Sequence, residues 1–100
     1  MEKKEQKVEI EMDAATAGGT YSNLAIINHS TSEFVVDFIS LMPGSPKAMV
    51  QSRIILTPEH AKRLNKALKD NIQKYEASNG EIKVDENPSV PMNFGPAGEA

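Results

Sequence analysis

One stretch limits the fold more than any other: Arg53 to Tyr75, RIILTPEHAKRLNKALKDNIQKY. It reads as the end of a buried strand, a helix start signal, and the one long amphipathic helix of the sequence. Thr57 is placed as the N-cap, its hydroxyl free to accept from a first-turn N–H. Pro58 follows at the first helical position, where its missing N–H costs nothing. Glu59 complements the positive end of the helix dipole, and Leu56 and Ala61 occupy the hydrophobic-staple positions. The apolar stripe is Ala61, Leu64, Leu68, Ile72 and Tyr75, spaced by three or four. Asn79-Gly80 supplies residues that tolerate a left-handed cap. Burying Leu64, Leu68 and Ile72 under this pattern would stabilise by about 1.5–3 kcal/mol each.

A helix with one apolar face needs a sheet to cover, and the upstream sequence offers four strands. Lys7 to Met12 alternates Val8, Ile10 and Met12 with charged residues, the pattern of a half-buried edge strand. Asp13 to Thr20 reads as a loop broken at Gly18-Gly19. Tyr21 to Asn28 is a second strand, and His29 to Ser32 a turn closed by hydroxyls. Glu33 to Met42 is the strongest strand, ended by Pro43 to Pro46, and Lys47 to Leu56 is the fourth. Short turns between consecutive strands imply an antiparallel meander. Pairing Phe38 with Ser52 and Val36 with Ile54 joins the apolar sets and sets Asp37 opposite Arg53. A slip of one residue would face Phe38 with Gln51 or Arg53, so the pattern selects the first register.

The expected architecture is therefore α+β, an antiparallel four-stranded sheet followed by one C-terminal helix packed on one face. The expected domain spans residues 7–80, between a flexible N-terminus at 1–6 and a flexible tail at 81–100. Glu81 to Val84 offers at most a further short strand. The tail after it carries three prolines and two glycines among polar and small residues.

Composition narrows the function classes. The 100 residues fit one domain. A net charge of -3 gives no global field toward nucleic acid or anionic membrane. The absence of cysteine removes disulfides, thiolate metal sites and cysteine nucleophiles. It suits a reducing compartment. No apolar run approaches a membrane span, and the charged N-terminus has no secretory h-region. A cytoplasmic protein is expected.

No motif for chemistry emerges. The serines lie in neither a nucleophile elbow nor an S-x-x-K arrangement, and Gly18-Gly19 lacks both phosphate-binding glycine patterns. His29 and His60 read as solvated histidines rather than metal ligands. No cofactor and no catalytic residue is expected. The strongest polar pair is Asp37 with Arg53, which reads either as an exposed cross-strand pair or as an ion pair at an oligomer contact or a ligand-binding groove. Around it the sequence places Ile27, Val35, Ile39, Leu41 and Ile55, too much apolar surface for a wet face. These seven residues are the expected oligomer interface, with a two-fold dimer the simplest solution. Lys62, Arg63, Lys66 and Lys69 form a basic helix flank that could contact phosphates, but no aromatic stacking platform accompanies it.

The stretches YSNLAIINHSTSEFVVDF and RIILTPEHAKRLNKALKDNIQKYE together resemble the small bacterial domains of unknown function grouped as DUF family 3467. The matching features are Tyr21-x-Asn23, Glu33-Phe34 to Asp37-Phe38, the Arg53 to Pro58 junction, and the helix with Leu64, Leu68 and Tyr75-Glu76. The resemblance covers Tyr21 to Glu76 and implies no activity, cofactor or site residue. The order of strands followed by a helix is also similar to SecB-type secretion chaperones, whose protomers assemble through sheet and helix surfaces. The leading expectation is a non-enzymatic interaction or adaptor protein acting as a homo-oligomer, in a SecB-like version binding polypeptide segments. The alternative is a nucleic-acid-associated regulator using the basic flank.

Overall fold

The computed structural model describes residues 7–85. A single helical turn, α1 (Ala14–Ala17), precedes three strands, β1 (Leu24–His29), β2 (Phe34–Ser40) and β3 (Met49–Leu56). A long helix, α2 (Pro58–Asn79), follows. The sheet is antiparallel in the order β1-β2-β3, so β2 is central and both other strands are edges. The class is α+β, with three strands where the sequence pattern suggested four.

The missing strand is Lys7 to Met12. These residues pair with nothing in the sheet, and Val8, Ile10 and Met12 are exposed. Alternation describes which side chains could share a face; it does not supply an edge to pair with. Glu81 to Val84 likewise forms no strand. Two of the expected flexible segments, 1–6 and the part of the tail from 86 onward, lie outside the described residues.

Local chemistry explains the connections. Asp13 caps the short helix by accepting from the Thr16 N–H at 2.8 Å, turning part of the expected loop into α1. The β1–β2 hairpin closes on Ser30, whose N–H donates to the Glu33 carbonyl and whose hydroxyl accepts from the Ser32 and Glu33 N–H groups. Before β3, the Ser45 N–H donates to the Met42 carbonyl. Pro43 and Gly44 sit at the centre of that turn, and Gly44 has φ 81°, the positive value a type II turn requires at its third position.

The β2–β3 register is the one the apolar pattern selects: Phe38 opposite Ser52, Asp37 opposite Arg53, Val36 opposite Ile54. Beyond Phe38 the ladder shifts, Ile39 facing Val50 and Ser40 facing Met49. Gln51 is thus an extra residue, a bulge that moves Val50 from the side of Ile54 and Leu56 to that of Ile39.

The helix begins as its sequence dictates. Thr57 accepts from the His60 N–H at 3.1 Å, Pro58 opens the first turn, and the Ala61 N–H bonds the Thr57 carbonyl. It does not, however, lie across the sheet. No residue of α2 is buried; Ala61 and Glu76 alone reach half burial, and Leu64, Leu68, Ile72 and Tyr75 stay open to solvent. The expected packing of the helix on one sheet face is corrected accordingly: α2 leaves the sheet at Thr57 and carries its stripe away. Caps and spacing govern where a helix starts and which side is apolar. They leave its direction to tertiary contacts.

Among the described residues the buried apolar core is correspondingly small: Val36, Ile39 and Leu56. Val36 and Ile39 lie on opposite faces of β2, so the core does not gather on one side of the sheet.

Candidate protein-interaction surface

The centre of the sheet is polar. Asp37 is completely buried, yet it sits mid-strand between Val36 and Phe38. Its carboxylate accepts two hydrogen bonds from Arg53 across the ladder, Nε to Oδ1 at 2.6 Å and Nη2 to Oδ2 at 2.8 Å. This is the fork-to-fork geometry in which a guanidinium satisfies both carboxylate oxygens. Among the described residues, no buried side-chain polar atom lacks a partner. The Arg53 hydrogen bond holds the Asp37 carboxyl below its ordinary pKa, against the opposing effect of burial. Reciprocally, Asp37 raises the pKa of Arg53. Arg53 keeps 47 % of its side chain in water, so one end of the pair is sealed and the other faces outward.

The register decides which residues share that face. Ile26 and Arg53 lie opposite Asp37, Asn28 and Ile55 opposite Val35, and Leu24 and Val50 opposite Ile39. Val35, Asp37, Ile39, Arg53 and Ile55 are thus together, as the sequence pattern suggested. Ile27 is not with them. It pairs with Val36 and belongs to the opposite face, beside Phe38, Phe34 and Ile54. Alternation along the first strand already separates Ile27 from Ile26, but only the pairing shows which of them accompanies Asp37.

Leu41 lies just past the end of β2, held by a residue whose role is clear only in three dimensions. The Asn23 side chain accepts from the Leu41 N–H at 2.8 Å and donates to the Leu41 carbonyl at 2.9 Å. A side-chain amide here replaces one rung of backbone ladder. Ser22 adds a hydroxyl that reaches the Leu24 and Ile39 carbonyls, both at 3.0 Å, and the Asn23 N–H bonds the Ile39 carbonyl. Ser22 and Asn23 therefore clamp the open end of the β1–β2 hairpin.

The sequence pattern of a family described as "Protein of unknown function (DUF3467)" matches residues 1–84. The chain belongs to this family. The family's description names no activity. No curated protein and no solved structure matches the chain. The match extends past Tyr21 to Glu76 to include the unpaired N-terminal segment from Lys7 to Met12.

Lys62, Arg63, Lys66 and Lys69 are all exposed on α2. Lys62, Lys66 and Lys69 share a flank by their spacing, whereas Arg63 is engaged by Glu59 one turn earlier. His29 is the last residue of β1 rather than part of a turn, and its ring stacks on Phe34 with centroids 5.3 Å apart. His60 lies in the first turn of α2. Among the described residues no three of His, Asp and Glu gather as a metal-binding group, and no helix is long and apolar enough to cross a membrane.

Beyond the sheet, the chain continues past Gly80 and returns along the helix. The Ile82 N–H donates to the Glu76 carboxylate at 2.9 Å. This places Ile82 beside Asn71, Ile72 and Tyr75, the four lining an open groove of about 390 Å³. Residues 81 and 82 therefore adjoin the helix, where the sequence suggested that a tail begins.

Proposed function

We propose that this protein is a non-enzymatic adaptor that works as a homo-oligomer and holds extended segments of other polypeptides against its sheet. The observation that carries the reading is the imbalance of apolar surface. Three large apolar side chains are buried, while sixteen among the described residues are exposed. A sheet is stable when a second layer covers its hydrophobic face, and the described residues supply no such layer. A small domain with so little core needs another chain to complete it.

The surface fits an extended partner. Both β1 and β3 are edge strands, each presenting a row of backbone groups that a peptide can pair with as an added strand. Main-chain pairing tolerates many sequences. Ile27 on one edge, and Val50, Ile54 and Ile55 on the other, add apolar contact on both faces. Arg53, anchored by Asp37, offers a fixed positive charge within the face that also holds Val35, Ile39 and Ile55, with Leu41 at its margin. The SecB-like reading rests on these features.

The test is light scattering by a chemically unfolded, aggregation-prone client with and without the full chain. Suppression near one-to-one stoichiometry, insensitive to added salt, is expected. No suppression and no association with the unfolded client would remove the adaptor reading. The nucleic-acid alternative predicts instead a salt-sensitive mobility shift of DNA or RNA. It is weakened by the engagement of Arg63 with Glu59 and by Asp70 one turn after Lys66.

A further inference from the structure

From the uncovered stripe of α2 we infer that the helix, rather than the sheet, is the surface on which two copies of this chain meet. The inference rests on the homo-oligomer reading and assigns the contact within it: an antiparallel pairing of α2 with α2 about a two-fold axis near Leu68.

The stripe has no occupant among the described residues of its own chain except Ile82. Leu64, Leu68, Ile72, Tyr75 and Ile82 are between 39 and 55 % exposed, and every helix residue from 62 to 75 is open to solvent. The 22 residues of α2 form a rod about 33 Å long. A transient client cannot supply burial that the fold needs at all times, whereas a second copy can.

The stripe is also self-complementary. In a two-fold pairing each residue must face the counterpart that the symmetry selects. Centred on Leu68, Leu64 of one copy faces Ile72 of the other, four residues to either side. Ala61 faces Tyr75, seven residues to either side, a small side chain against a large one. No charged residue interrupts the stripe between Ala61 and Tyr75. Lys62, Arg63, Lys66, Lys69, Asp70 and Lys74 lie off the stripe; the two-fold sets Lys62 level with Lys74, but their spacing turns both away from the seam. Asn71, beside the stripe, donates to its own helix, to the Ala67 carbonyl at 2.9 Å. Using the helix in this way leaves both sheet edges open to a bound segment.

The chain has no cysteine, which makes single-cysteine cross-linking clean. In the full chain, Leu68→Cys treated with a short bismaleimide should form covalent dimers at least about tenfold more efficiently than the outward-facing Lys66→Cys. Leu64→Cys mixed with Ile72→Cys should cross-link between copies. Leu68→Glu should raise the dimer dissociation constant about a hundredfold. The cysteine variants retain an apolar side chain and keep the test valid if the glutamate variant does not fold. Native mass measurement separates the failures. A dimer without cross-linking at residue 68 overturns the helix seam and leaves the homo-oligomer standing. A monomer at every concentration overturns both. A monomer that dimerises only after removal of residues 86–100 places the chain's own C-terminal residues on the stripe, and this too overturns the inference.

Discussion

Replacing Arg53 with methionine keeps the aliphatic stem and removes the guanidinium that holds Asp37. The two ends of this pair are not equivalent. Asp37 is fully buried, whereas Arg53 keeps nearly half of its side chain in water. Losing Asp37 would leave a cation that water can solvate. Losing Arg53 leaves a buried carboxylate without its partner, and because water can enter where the half-exposed guanidinium stood, the cost while the group stays ionised is about 1–3 kcal/mol. Asp37 can escape part of that cost by taking up a proton, which gives the effect a pH signature. In the native pair the folded-state pKa is depressed by Arg53. Its stabilisation is therefore complete above the ordinary aspartate pKa and is lost as pH falls through the folded value. In Arg53→Met, burial acts alone and raises the pKa, so stability is lost in the opposite direction, as pH rises through the raised value. The gap between the two proteins should be widest at neutral pH and shrink toward about pH 3. Urea unfolding from pH 3 to 7, at one protomer concentration, measures it. The double variant Asp37→Leu/Arg53→Met removes both charges and should recover most of the loss. A gap that stays constant across the pH range, or is under about 1 kcal/mol at pH 7, would refute the argument, since an exposed surface pair behaves that way.

Substitutions at three further positions probe the elements that hold the sheet and helix. Asn23→Ala removes both bonds to the Leu41 backbone and should cost about 1–2 kcal/mol in the same unfolding assay. Hydrogen exchange at the Leu41 amide should quicken in that variant. Thr57→Ala should lower stability by about 1 kcal/mol, with Thr57→Ser nearly neutral, because the hydroxyl bond to the His60 N–H is the cap. Gly80 has φ 91° and ψ 167°, a conformation almost confined to glycine. Gly80→Ala should cost about 1–3 kcal/mol and release Ile82 from Glu76, read as loss of protection at the Ile82 amide.

Much of the local structure was legible. The cap at Thr57, the proline at the first helical position and the stop at Asn79-Gly80 define α2 to within a residue, because each acts through neighbours a few positions away. The β2–β3 register was legible too, since a one-residue slip would turn every apolar side chain to the wrong face. The bulge at Gln51 was not, as nothing in KAMVQSRIIL marks it. Asp37 with Arg53 was identifiable as a pair, but its depth was not. Alternation assigns a residue to a face and leaves open how far its neighbours shield it. The clamp formed by Asn23 had one signal, the Tyr21-x-Asn23 element of the family pattern, with no indication of its partner at Leu41.

The sequence by itself determined the α+β class, the span and polarity of the helix, and the pairing of its two strongest strands, all consequences of short-range periodicity and capping. Only the tertiary structure decided that Lys7 to Met12 stays outside the sheet, that Ile27 lies opposite the Asp37 face, and that α2 carries its apolar stripe away from the core. Those outcomes depend on which edges and faces meet across long stretches of chain, and local patterns carry no term for that choice.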